Sequence, residues 1–212
     1  MKRVKQAGFT IVELLIVIVV IGILASITVV AYNGITERAR NVARLNAAKQ
    51  AEQIVRLALA DVSPVQLRDS LYYDGSWWRA CVGKDYKDVH GTPDGDCATF
   101  NGFSYAWSTP ALTAILEDAA GPLPSMRGFP PVLSDDGDAI YGPYIGSAWV
   151  ENSINYLVLE YQLEGESQEC GLSPLVYKNG GNPSMTPNGD PKYSANGDGT
   201  TECVVALVDH AW

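Results

Sequence analysis

The 212-residue chain predicts an α+β protein, one long N-terminal α-helix packed on an antiparallel β-sheet head. Residues 14–25 carry no polar side chain, and the apolar stretch runs on through Ser26 and Thr28 to Tyr32. Ala39, Ala43, Ala47, Ala51, Ile54 and Ala58 then continue an apolar stripe at helical spacing. Beyond Pro64 the pattern changes to period-two alternation interrupted by Gly, Asn, Asp and Pro, the mark of short strands and turns.

The N-terminal element is read in two halves. Residues 14–32 form about 28 Å of helix at ~1.5 Å per residue, close to the thickness of a bilayer's hydrocarbon core. From residue 33 the stripe of small apolar residues is set against Arg38, Asn41, Lys49, Glu52 and Arg56 on the other side, and it should lie under a sheet. Ser63-Pro64 ends the element near Asp61, because proline cannot continue a helix. Such a length suits a helix with one half in a membrane and the other gripping a head.

A cleaved secretory signal would have a shorter apolar core, with a small-residue site after it; here Leu24-Ala25-Ser26 lies inside the run. A permanent anchor accounts for the length and for Lys2, Arg3 and Lys5, which hold the N-terminus in the cytoplasm. It leaves Glu13 unexplained, since a carboxylate at the start of a membrane helix is costly without a partner. It also gives no role to the Gly8-Phe9 junction.

The stretch Lys5-Gln6-Ala7-Gly8-Phe9-Thr10-Ile11-Val12-Glu13 resembles the processing site of type IV prepilins and type II secretion pseudopilins. The resemblance covers roughly residues 1–35. It implies a leader of residues 1–8, cut between Gly8 and Phe9 by a membrane aspartyl prepilin peptidase, and N-methylation of Phe9. It further implies that Glu13, the fifth mature residue, pairs with the Phe9 amine of a neighbouring subunit during assembly. The corresponding organisation is a helix over 9–61, with 9–32 as membrane segment and later filament core and 33–61 amphipathic, then a pilin-like extracellular head over 62–212. Physical reasons accompany these roles. Gly8 lets a peptidase approach the backbone, and an ion pair in apolar surroundings selects register even where its net energy is small. The sequence departs from the family in having Val30 where many members carry a helix-kinking proline, with Gly22 left as a weak point. Arg38, Arg40 and Arg44 place positive charge outside the membrane, although long domains translocate regardless of such charge.

In the head, residues 155–163 alternate Leu157, Leu159, Tyr161 and Leu163 against Tyr156, Val158, Glu160 and Gln162. A second strand is expected over 202–208, and a turn at Asn179-Gly180-Gly181-Asn182 after 175–177. A short helix is expected over 110–119, and irregular loop over 121–146, where Gly and Pro abound. Tyr72, Tyr73, Trp77 and Trp78 read as packing aromatics rather than an adhesive or sugar-binding patch. Cys81, Cys97, Cys170 and Cys203 allow three pairings; Cys81–Cys97 with Cys170–Cys203 is favoured because each closes a local loop. Disulfides place this part outside the cytoplasm. Zinc is a poor fit, with no CxxC pair and only His90 and His210 as imidazoles.

Acidic glycine-containing loops recur, at Asp94-Gly95-Asp96, Asp135-Asp136-Gly137-Asp138, Asn188-Gly189-Asp190 and Asn196-Gly197-Asp198. Oxygen-rich loops suit calcium, which some pseudopilins bind, and Asp135, Asp136 and Asp138 are the candidates. None has EF-hand spacing, and Asx turns account for all of them without a cofactor, the preferred reading. The net charge is −9, and residues 62–212 hold 7 Lys/Arg against 20 Asp/Glu, so nucleic acid is excluded as a main partner. No G-x-S-x-G, H-E-x-x-H or P-loop motif appears, and no enzyme activity is expected.

The expected function is that of a structural filament subunit. Its partners would be copies of itself and other pilins, the peptidase, an inner-membrane assembly platform, and lipid before assembly. The precursor would sit in the cytoplasmic membrane and the mature form in a surface filament. A minor pseudopilin of type II secretion or of competence is the alternative within the family. A membrane-anchored extracytoplasmic domain is the alternative outside it.

Overall fold

A computed structural model describes residues 9–71, 79–87, 94–100, 103–127, 129, 131–133, 138–150, 154–166, 168–172, 177–179, 182–184, 194–195 and 199–208. The chain divides into two compact units, Met1–Arg40 and Asn41–Trp212. Helix α1 (Ile11–Asp61) begins in the first and ends in the second.

In the first unit every described side chain from Phe9 to Ile35 is exposed, Leu14, Ile18, Ile21 and Leu24 among them. The few hydroxyls in this stretch are turned onto the helix backbone. Ser26 Oγ donates to Ile23 O at 2.7 Å, and Thr28 Oγ1 to Ala25 O at 2.9 Å. Over residues 14–31 these bonds leave an outer surface of apolar side chains, the condition for a segment surrounded by hydrocarbon.

In the second unit the rest of α1 is followed by α2 (Pro64–Ser70), β1 (Arg79–Cys81), β2 (Asp96–Phe100), β3 (Phe103–Trp107) and α3 (Pro110–Ala120). Then come β4 (Val132–Leu133), β5 (Ala139–Ile140), β6 (Tyr144–Val150), β7 (Ile154–Glu164), β8 (Tyr177–Asn179), β9 (Asn182–Ser184), β10 (Ser194–Ala195) and β11 (Thr200–Ala206). Nine strands form one sheet in the order β10-β11-β7-β6-β1-β3-β2-β5-β4, and β8 and β9 pair separately. Pairing is antiparallel throughout except between β1 and β3, where Ala80 faces Trp107 in parallel register, so the sheet is mixed rather than purely antiparallel.

Serine and threonine before proline start both short helices. Ser63 Oγ accepts from Gln66 N, Thr109 Oγ1 accepts from Leu112 N, and Pro64 and Pro110 supply the preset φ of a first helical residue. Ser63-Pro64 therefore both ends α1 and opens α2, which local reading took only as a stop. Residues 121–146, expected to be loop, supply β4, β5 and the start of β6. Two-residue strands have no local periodicity and exist because Val132 and Ala139 find partners across the sheet.

The face that α1 buries differs from the expected stripe. Ala39 and Ala43 are exposed, whereas Arg44, Ala47, Ala48, Ala51, Val55 and Ala58 are buried. Positions 44, 48, 51, 55 and 58 alternate steps of four and three and stay on one line, whereas 39, 43, 47 and 51 step by four and drift around the helix. Asn41, expected on the solvent side, is also part-buried. Ala48, Ala51, Val55 and Ala58 lie in one cluster with Leu157, Leu159, Tyr161 and Leu163 of β7 and Cys203 and Val205 of β11. Small side chains at these helix positions leave room for the larger ones of the sheet.

Two buried disulfides join Cys81 to Cys97 and Cys170 to Cys203, each with Cα atoms 5.6 Å apart. The first closes a 16-residue separation, worth about 3 kcal/mol on a chain-entropy account. Tyr86 locks the same region: its hydroxyl donates to Val82 O at 2.9 Å, and a Cβ on Gly142 would stand 2.6 Å from its ring. The aromatic residues 72, 73, 77 and 78 lie outside the described residues, as do His90 and His210. The described part of the 175–182 hairpin is the β8–β9 pair, with Asn179 facing Asn182.

Two measurements on the full chain in detergent test this packing. Ala51→Leu should lower unfolding free energy by about 1–3 kcal/mol, because no room exists between helix and sheet; unchanged stability would contradict the close contact. Burial raises the Tyr86 pKa above its ordinary 10, and burial followed by the Glu52 charge raises that of Tyr161. A raised folded-state pKa leaves this stability intact below pH 10; above it the unfolded chain gains by ionising and stability falls. Unfolding followed together with tyrosinate absorbance should show both.

Candidate functional site

The sequence points to the start of α1, where the structure builds a small polar device at the tip of an apolar rod. Thr10 immediately precedes the helix and Glu13 lies in its first turn. Thr10 N donates to Glu13 Oε2 at 2.8 Å, Thr10 Oγ1 donates to the same oxygen at 2.7 Å, and Glu13 N donates back to Thr10 Oγ1 at 3.3 Å. This reciprocal pattern is a capping box. It satisfies backbone donors that a helix start leaves open, and it places a negative charge at the positive end of the helix dipole.

Thr10 was the residue that sequence reading passed over. The signal was present, as Thr10-Ile11-Val12-Glu13 has the T-x-x-E spacing of such a box ahead of an apolar run. Its consequence is geometric. The Glu13 carboxylate is turned toward the N-terminal end of the helix, toward Phe9, rather than along its flank. Phe9 itself is 82% exposed. Gly8 lies outside the described residues. The structure thus brings Thr10 and Glu13 together, while Phe9 stands beside them.

Below this tip the helix surface is continuous hydrocarbon, and among the described residues α1 is the one helix long and apolar enough to cross a membrane. Tyr32, 70% exposed, stands where that stretch ends, a position suited to an amphipathic ring at the membrane–water boundary. No described side chain stands within 4 Å of where a Cβ on Gly22 would lie.

The remaining candidates are in the second unit. The four cysteines are all engaged in the two disulfides, and no cysteine is free. Asp135 and Asp136 lie outside the described residues. Asp138 is described, and among the described residues no three His, Cys, Asp or Glu side chains gather as metal ligands would. Asp94-Gly95-Asp96 serves the fold: Asp96 is fully buried, its N–H donates to Lys87 O at 2.8 Å, and a Cβ on Gly95 would stand 2.4 Å from Tyr86 O.

Where α1 enters the second unit, a polar clamp was also missed. Asn41 Nδ2 donates to Glu164 O at 2.9 Å, Glu164 N donates to Asn41 Oδ1 at 2.8 Å, and Arg44 meets the Glu164 carboxylate at 2.8 Å. The Asn41 amide completes the hydrogen bonding of the last residue of β7 as another strand would. No local pattern announces a contact spanning 123 residues.

Residues 3–29 match the family described as the prokaryotic N-terminal methylation motif. No curated protein and no solved structure matches the chain. The motif belongs to a class of structural subunits and implies processing by a prepilin peptidase and assembly with other pilins; with the apolar helix behind it, it supports a membrane-anchored precursor. Residues 3–29 thus resemble the class III leader region of type IV pilins and pseudopilins, set at the head of a long apolar helix in this chain.

Proposed function

We propose that the protein is a prepilin whose mature form is a structural subunit of a type IV pilus or related filament, without enzymatic activity. The observation that carries the reading is the tip of α1. A carboxylate is held at the first turn by Thr10, four residues after Phe9, at the head of an apolar surface left uncovered among the described residues. Cleavage between Gly8 and Phe9 creates an ammonium group beside that carboxylate, and methylation keeps it positively charged. Within one subunit Glu13 is occupied by Thr10. Within a filament it turns to the amine of the neighbour, which adds a charge-assisted bond to the neutral ones.

Strength and register then come from different sources. Transfer from lipid to neighbouring helices replaces one apolar contact by another, so close packing, rather than removal of apolar area from water, holds residues 9–32 in the filament core. The single ion pair fixes which turn of one helix meets which turn of the next. The two disulfides equip the second unit for life outside the cytoplasm.

Mass spectrometry of the mature protein should find N-methylated Phe9 at its start; any other N-terminus overturns the proposal. Gly8→Leu should leave a membrane-held precursor still carrying residues 1–8, visible as a mass larger by the leader. Thr10→Val should be cut and methylated normally. Its first helical turn should lose about 0.5–2 kcal/mol of capping, measured as faster amide exchange at residues 11–13, and filament yield should fall with it.

A further inference from the structure

The charge that follows the apolar segment has no part in the assembly scheme. Between Glu13 and Glu37 no side chain is charged. Thr36, one turn past Tyr32, directs its hydroxyl back to Tyr32 O at 2.8 Å, as Ser26 and Thr28 turn theirs onto the helix within the segment. The first cation is Arg38, and it is exposed, whereas Arg40 is partly buried. Glu37 is partly covered, and at 3.6 residues per turn it projects about 100° away from Arg38. Among the described residues no ion pair engages Arg38. The open side of the helix at this level is therefore positive.

The height of this level follows from the helix. Residues 14–32 span about 28 Å, the thickness of a hydrocarbon core, with Tyr32 at its far boundary. Arg38 comes six residues later, ~9 Å further along the axis. A bilayer of ~40–45 Å around a core of ~30 Å leaves a headgroup layer of about 5–8 Å on each side. Side chains of an α-helix lean toward its N-terminus, which for Arg38 is the membrane side. A long side chain leaning back from just beyond the headgroups brings its guanidinium into the phosphate layer.

We infer that Arg38 binds the phosphate of an anionic phospholipid in the leaflet remote from the N-terminus, before the subunit leaves the bilayer. The inference rests on the membrane-anchored reading of the precursor and extends it from hydrocarbon contact to one polar contact. A planar guanidinium offers two parallel N–H donors to a phosphodiester, a fit that an ammonium group lacks. Anionic lipid is preferred because no headgroup cation offsets its phosphate. Tyr32 at the boundary and Arg38 among the phosphates together fix the depth of α1, each suited to the layer it reaches.

The full chain, labelled with carbon-13 at arginine Cζ and held in bilayers of phosphatidylcholine and phosphatidylglycerol in equal parts, tests this. Carbon–phosphorus dipolar dephasing should show a close contact that is lost in Arg38→Gln, while that variant stays in the bilayer with both disulfides formed. Spin-labelled phosphatidylglycerol should be preferred over spin-labelled phosphatidylcholine around the protein, and the preference should fall by up to about fivefold in Arg38→Gln. Arg38→Lys should keep part of it. Equal dephasing in the parental and Arg38→Gln chains, or an unchanged lipid preference, would overturn the inference. So would loss of the contact on adding millimolar inorganic phosphate, which would assign Arg38 to a free anion. Release of the parental chain from membranes by alkaline carbonate would refute the anchorage itself, and the two failures are thereby told apart.

Discussion

Among the described residues, the apolar side chains from Phe9 to Ile35 have no cover, while the α1 backbone beneath them is internally bonded. Water would penalise that surface by roughly 25 cal/mol for each square ångström, so the segment is always inside something. Lipid serves before processing, and copies of the same helix serve afterwards in the reading proposed here. In that reading a leader that holds the N-terminus in the cytoplasm, a cleavage next to the membrane and a second unit built for the outside all answer that one requirement.

The polar features of the molecule lie at the ends of this surface rather than within it. At the tip, Thr10 and Glu13 satisfy one another and the helix start. At the other end, Asn41 and Arg44 grip the end of β7 through Glu164. Between them Ser26 and Thr28 direct their hydroxyls to the backbone. From residue 14 to residue 31 such a helix meets hydrocarbon with its side-chain hydroxyls bonded to its own backbone.

The second unit addresses a different problem. Its α1 segment is lined with alanine where it meets β7 and β11, so a large sheet packs on a slender helix. The two disulfides and the Tyr86 lock hold together strands too short to be stable by pairing alone.

The sequence by itself determined the long helix, its end near Asp61, the N-terminal methylation motif within residues 3–29, the strands around residues 157–163 and 203–206, and the helix after Pro110. Each is written in side-chain periodicity, in a capping residue or in a local motif, quantities that depend on neighbours a few positions away. The local disulfide pairing was legible for the same reason, since both bridges close short loops. Tertiary structure alone decided which face of α1 is buried, because an alanine stripe has several helical lines through it and only the partner sheet selects one. It also decided the parallel β1–β3 pair, the two-residue strands β4 and β5, and the Asn41–Glu164–Arg44 clamp. Those features are made by residues far apart in the chain, and their energy appears only when the fold brings them together.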